Sequence, residues 1–202
     1  GDVAKTFAGE GNPSVARLNG GPYAKPGSKY FTTNFFRAAI LKENTKDKID
    51  VFLASFSGGK DSQVVLDLCT RAIPPQAFEV IYSDTGYELP TSLTLYDDVQ
   101  KYYKELYPEL RFRTARNHEN VLNYWDKIGT PSDTHRWCCS VMKTAPLHKL
   151  LKIEGSNKQA KVLVFEGSRA EESNRRATYE RIGKGVKHSN VINARPIFNW
   201  NT

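Results

Sequence analysis

The sequence predicts an α/β fold built on a doubly wound parallel sheet, and two observations carry that prediction. From Val51 onward, short apolar runs alternate with longer stretches of helical periodicity. The first of those runs breaks into Ser57-Gly58-Gly59-Lys60-Asp61-Ser62 before the next helical stretch opens. Strands are expected at 51–56, 78–83, 111–115, 162–165 and 191–194, with helices near 63–72, 91–106, 120–128, 145–153 and 171–182. Right-handed crossovers join such strands, so a ligand belongs beyond their carboxyl ends.

Ahead of the first strand, Thr33 or Asn34 is expected to cap a helix carrying Phe35, Phe36, Ala39 and Ile40. The preceding residues, with Gly20-Gly21-Pro22 and Lys25-Pro26-Gly27, hold no sustained period. Residues 1–33 therefore read as an irregular arm and 34–202 as the folded domain. A start at Gly1, a single internal methionine at Met142 and an end at Thr202 read as a fragment truncated at its C-terminus.

With 202 residues and 39% hydrophobic content the chain can bury a core, which excludes a disordered polymer. Three cysteines are too few and too badly spaced for a disulfide scaffold. No apolar run reaches the roughly 20 residues of a membrane span, and a cytoplasmic protein is expected.

The glycine turn reads as a phosphate cradle. A strand that ends in two glycines and opens a helix aims backbone N–H groups and a positive helix end at one place. Lys60 adds mobile charge, and Ser57 and Ser62 add hydroxyl donors. An ordinary capped turn would not need Lys60 and Asp61 at its mouth, and the spacing is too short for a Walker loop.

Other residues are expected at the same sheet end. Asp84-Thr85-Gly86 follows the second strand, Arg113 and Arg116 the third, and Gly167-Ser168-Arg169 the fourth. Asp61 and Asp84 are candidate carboxylates for magnesium, although Asp84 would serve equally as a turn residue bonding its own backbone. Glu88 is a candidate cap for the helix opening near Thr91. The Arg169 fork suits an oxyanion, with Arg176, Arg136 and Lys143 as further candidates.

Between Glu171 and Glu180 the alternating charges suggest a solvated helix. Gly183-Lys184-Gly185 suggests a mobile cover, in a basic stretch that includes Arg175, Arg181, Lys184, Lys187 and His188. For Cys138-Cys139 two readings stand, an iron–sulfur half-site and a pair of buried thiols. Cys69 belongs to the apolar side of the first core helix. His118, His135 and His148 lack metal-ligand spacing.

The Ser57–Ser62 turn resembles the pyrophosphate loop (PP-loop) of the N-type ATP pyrophosphatases, the adenine nucleotide alpha-hydrolase-like proteins. Further matches narrow the resemblance. Ser83-Asp84-Thr85-Gly86-Tyr87-Glu88-Leu89-Pro90, Trp137-Cys138-Cys139 with Lys143, Gly167-Ser168-Arg169 with Glu172 and Arg176, and Arg195-Pro196-Ile197 with Trp200 resemble the phosphoadenosine-phosphosulfate (PAPS) reductase family in residue and order.

The resemblance implies a three-layer sandwich with adenine near Ser55, Phe56 and Ser83 and phosphates in the turn. It implies ATP, adenosine phosphosulfate or PAPS as the nucleotide, with Mg2+. For the complete protein it implies a four-iron cluster and a partner subunit or thiol donor. Lys60, Asp61 and Arg169 become the expected catalytic residues.

The intact turn points toward relatives that use ATP, since dedicated PAPS reductases usually carry a degenerate one. The expected function is a PP-loop enzyme of sulfur metabolism acting at the α-phosphate or phosphosulfate. Three alternatives stay open: a reductase releasing sulfite, a sulfur-inserting enzyme on DNA or tRNA, and a nucleotide-binding regulatory module without turnover. The net charge of +7 suits an anionic nucleotide or a nucleic acid, with the small nucleotide favoured.

Overall fold

The computed structural model describes residues 35–40, 42–43, 48–132, 134–153, 158–185 and 188–200. The expected arm at 1–33, the cap at Thr33 or Asn34, and Lys187 lie outside them. The helix expected beyond that cap is present at 35–40 and inserts Phe36, Ala39 and Ile40 fully into the core.

Among the described residues, six strands form one sheet: β1 (Val51–Phe56), β2 (Glu79–Asp84), β3 (Arg111–Arg116), β4 (Val162–Phe165), β5 (Ile182–Lys184) and β6 (Val191–Ala194). Their order is β3-β2-β1-β4-β6-β5. All neighbours pair in parallel except β5, which runs antiparallel to β6 at the edge. The chain winds outward from β1 through β2 to β3, then crosses to β4 on the other side of β1. That reversal leaves a crevice at the carboxyl ends of β1 and β4, the switch point where open α/β sheets take ligands.

Beyond the 35–40 helix, five α-helices among the described residues carry the remaining pattern: α1 (Lys60–Ala72), α2 (Pro90–Leu106), α3 (Val121–Ile128), α4 (Ala145–Leu150) and α5 (Asn174–Ala177). Side chains alternate across β1, so Phe52, Ala54 and Phe56 enter one layer and Leu53 the other. The first layer joins Val65, Leu66 and Cys69 of α1, Tyr96 of α2 and the 35–40 helix. The second joins Leu53, Ile81, Val162 and Val164 to Leu147 and Leu150 of α4. Each fully buried Leu or Phe contributes about 1.5–3 kcal/mol, so this double-sided burial fixes the strand ends that carry the site. Cys69 is buried on α1 as expected, and burial pushes its thiol well above the ordinary range.

The sequence expectation fails after β4. No helix spans 171–182: a 3-10 turn at Ala170–Glu172 and the short α5 are followed directly by β5. Ser173 breaks the run, in extended backbone with its hydroxyl accepting from the Arg176 N–H at 3.2 Å. Gly183 and Lys184, expected in a mobile cover, pair with Asn193 and Ile192, and the Gly185 N–H donates to Val191 O at 2.8 Å. Backbone pairing that the charge pattern does not reveal overrides the helical reading. The helix expected over 145–153 also stops early, where Lys152 bridges to Gln159.

Candidate functional site

The crevice is built around the turn after β1. Gly58 adopts φ +78°, a left-handed conformation that favours glycine, and Gly59 is extended at the start of α1 with no side-chain cap. The first helical hydrogen bond is Gln63 N–H to Gly59 O, at 3.1 Å. Among the described residues, nothing in the protein takes up the amide hydrogens of Gly58, Gly59, Lys60 or Asp61, while Ser57, Gly59 and Lys60 are exposed. An open rank of uncommitted donors at a helix start favours an anion.

Ser62 differs from its expectation as a phosphate donor. It is buried, its hydroxyl accepts the Ser57 N–H at 3.1 Å and donates to Gly59 O at 2.7 Å, and so knits the turn together. Ser57 Oγ lies 3.3 Å from the same hydroxyl. On the outer side, Gln63 Nε2 donates to Gly58 O at 3.3 Å, a support that motif reading did not identify.

The loop after β4 closes against this turn. Gly167 lies against the Asp61 peptide, and Arg169 reaches Asp61 Oδ2 through Nε at 3.2 Å and Glu171 through Nη1. Ser168 is half-buried between them. The Arg169 N–H donates to Glu172 Oε2 at 2.7 Å, and Glu172 also pairs with Arg176. Burial opposes ionisation of Glu172, but the Arg169 N–H and the Arg176 guanidinium hold its carboxyl below the ordinary value. Arg169 is thus a buried strut between two carboxylates, with a side chain only 9% exposed.

Asp84 ends β2, one strand from the turn. Its Oδ1 accepts the Gly86 N–H at 2.7 Å, in the turn role weighed for it, and its Oδ2 pairs with Arg116 at 3.2 Å. Thr85 Oγ1 donates to Glu88 at 2.7 Å, so Glu88 braces that turn and α2 begins after Leu89 without a side-chain cap. Ser55 and Ser83 are half-buried on β1 and β2, and Phe56 is buried in the core. Arg113 is not in the crevice: it pairs with Glu79 at 3.1 Å and donates to Leu150 O at 2.6 Å, closing the end of α4. Its position along β3 directs it to the second helical layer.

Cys138 and Cys139 open a π-helical turn, Cys139–Thr144, tied to the end of β3 where Asn117 Nδ2 donates to Val141 O at 3.0 Å. Cys139 is exposed, whereas Cys138 packs on the cluster of Val121, Trp137 and Met142. Burial, then its neighbour Cys139, pushes the Cys138 thiol up. Lys143 is exposed on the same turn.

The groups implied by family resemblance meet this geometry unequally. Both Asp61 oxygens already face cations, with Lys60 at 3.4 Å and Arg169 at 3.2 Å, and both Asp84 oxygens are engaged. A magnesium ion at either carboxylate would share it with the cation or amide already there. Two adjacent thiols fall short of the four that hold a four-iron cluster, and Cys69 is sealed in the other layer. Among the described residues no group of three or more His, Cys, Asp or Glu could hold a metal ion.

Two uncharacterised proteins of Methanocaldococcus jannaschii, MJ0066 and MJ0973, are each 36% identical, over 84% and 78% of this chain. The chain spans about a third of the length of those relatives, 34% and 35%. In structure it is similar to a PAPS reductase from Candida auris solved as a phosphate complex (TM-score 0.53, 20% identity, 84% of this chain and 73% of that one). It is also similar to Candida glabrata FMN adenylyltransferase with FAD and inorganic pyrophosphate (TM-score 0.51, 14% identity, 98% of this chain and 60% of that one). At these identities the likeness shows a shared fold. The phosphoadenosine phosphosulfate reductase domain model matches residues 52–202, which spans β1, the turn and the loop that closes on it, and the chain accordingly belongs to that family.

Proposed function

We propose that this domain binds ATP or an adenylyl sulfate in the Ser57–Ser62 turn and serves an enzyme of sulfur metabolism acting at the α-phosphate or phosphosulfate. The observation that carries this reading is the row of uncommitted amides from Gly58 to Asp61, open at the switch point between β1 and β4. Family membership supports it. So do the ligands of the fold neighbours, phosphate in one and FAD with pyrophosphate in the other.

In the reaction we infer, an oxyanion acceptor attacks the α-phosphorus in line. An oxygen–phosphorus bond forms, the bond from that phosphorus to the bridging oxygen breaks, and pyrophosphate leaves with the electron pair. The turn amides and the exposed Lys60 ammonium would stabilise charge on the departing phosphates, and Arg169 would hold Asp61 and the helix start in place. The exposed Cys139 beside the end of β3 favours one second reading, in which its thiolate attacks the sulfur of a phosphosulfate, the sulfur–oxygen bond to the nucleotide phosphate breaks, and an external thiol then attacks the S-sulfocysteine, releasing sulfite as a disulfide forms.

Calorimetric titration with ATP tests the proposal. The unaltered protein should bind, and Lys60→Ala should bind at least about tenfold more weakly, since a charge-assisted contact to phosphate is lost. Absence of binding by the unaltered protein, or equal affinity in the variant, would refute it. Pyrophosphate release from ATP and sulfate, against sulfite release from PAPS and dithiothreitol, separates the two readings.

A further inference from the structure

A cavity of about 310 Å³ opens between α1 and α2, in the layer that holds Phe56 and Leu66. Phe56 and Leu66 form a buried floor, and Val99 and Tyr103 form walls. Tyr102 stands edge-on to Tyr103 with ring centroids 5.2 Å apart. At the rim are Gln63 and the exposed Asp98. The volume lies at the lower end for small-molecule sites, and an apolar body with few polar groups is their usual composition.

Two features select the ligand. Asp98 has no hydrogen-bond or ion-pair partner among the described residues, although the chain carries a net charge of +7. Gln63 donates through Nε2 to Gly58 O, which leaves its Oε1 as an acceptor beside the cavity. An uncommitted carboxylate and an amide oxygen favour a cation, and the floor favours hydrocarbon. An anion would meet Asp98 and lose.

We propose that this cavity binds a small organic cation, an aromatic or alkyl amine, with its body on Phe56, Leu66 and Val99 and its ammonium between Asp98 and Gln63 Oε1. Gln63 then couples the cavity to the crevice, because its amide also holds the carbonyl of Gly58. An ammonium donating to Oε1 leaves the Nε2 bond intact and restrains the side chain that carries it, so occupancy stiffens the turn. The coupling rests on the nucleotide reading given above, whereas binding in the cavity does not.

The test uses 2-phenylethylamine titrated into 15N-labelled protein without nucleotide. Saturable shifts are expected at the Gln63 side-chain amide and the backbone amides of Asp98, Val99 and Tyr103, with a dissociation constant in about the millimolar range. Phenylacetate should leave them unmoved, and Asp98→Asn, an exposed substitution, should weaken the amine by about two- to fivefold. Val99→Trp, filling the cavity, should abolish binding in a protein that still melts cooperatively.

Shifts absent at the cavity, equal shifts with phenylacetate, or an unchanged Asp98→Asn affinity would each overturn the site. With ATP added, the amine should tighten nucleotide binding by about two- to fivefold, and Gln63→Leu should remove that effect. ATP affinity indifferent to the amine would overturn the coupling. Amine binding in a protein that takes no ATP would support the cavity site and count against the nucleotide function.

Discussion

Gly167 and Asp61 meet backbone to backbone: a β-carbon built on Gly167 would lie 2.7 Å from the Asp61 carbonyl carbon and 2.9 Å from Ser62 N. Neither neighbour is a side chain that can swing away, so any larger residue at 167 must displace the first turn of α1. Gly167→Ala should weaken ATP binding by more than about tenfold and lower the melting temperature, as overpacking costs about 1–3 kcal/mol. Gly58→Ala provides the contrast, because nothing lies within 4 Å of its β-carbon and only φ +78° opposes it, at a cost of about 1–2 kcal/mol. Calorimetry and thermal melts check both, and wild-type affinity in Gly167→Ala would contradict the close approach.

The ion pair between Arg169 and Asp61 carries a second prediction. Arg169→Ala leaves Asp61 and Glu171 without their shared cation beside the Gly58–Gly59 turn, and on the proposed function their charge should repel nucleotide. A loss of about a hundredfold in ATP affinity is expected. Removing the carboxylate as well, in Asp61→Asn with Arg169→Ala, should recover part of that loss. A double-mutant cycle should give a coupling of about 1–3 kcal/mol, and strictly additive losses would show that the two side chains act independently.

Arg195 ties the end of β4 to the end of β6 from inside the protein. Its Nε lies 2.7 Å from Glu166 Oε1, its Nη1 donates to Glu180 O at 2.6 Å, and its guanidinium sits 4.8 Å from the Tyr179 ring centroid. Arg195→Ala would leave Glu166, a quarter exposed, without its cation next to Gly167, and it should cost about 1.5–3 kcal/mol in urea unfolding. A loss below about 1 kcal/mol would mean that the pair is bathed in solvent.

The sheet was legible because β1, β4 and β6 are short apolar runs whose burial leaves little choice of partner, and the turn because glycine and charge occur together in it. The region from Glu171 to Lys184 was not. Its charges repeat at helical spacing, yet they are spent on Arg169–Glu171 and Arg176–Glu172 contacts inside short turns, and β5 is chosen by pairing with β6. Gln63 and Glu166 also escaped notice, since a polar side chain that supports a turn has no spacing rule of its own. The Gly58–Gly59 pair could be read locally, whereas the function of Gly167 depends on two loops that meet only after the sheet is wound.

Alkaline pH supplies the last prediction. The Tyr82 hydroxyl is buried without a hydrogen-bond partner among the described residues, and burial, then the charges of Glu88 and Asp84, push its pKa up to about 12. Tyr103 is pushed up to about 12 as well, by burial and then Asp67. Both phenols stay protonated in the folded chain at a pH where the unfolded chain ionises near 10, so the folded state binds more protons between those values. Stability is therefore full below about pH 10 and falls as pH rises through about 12. Urea midpoints from pH 9 to 12, followed by circular dichroism, should show that decline. Tyr82→Phe should flatten it without a loss of stability at pH 7, because the hydroxyl it removes has nothing to bond. An unchanged alkaline slope in that variant would place the titrating group elsewhere.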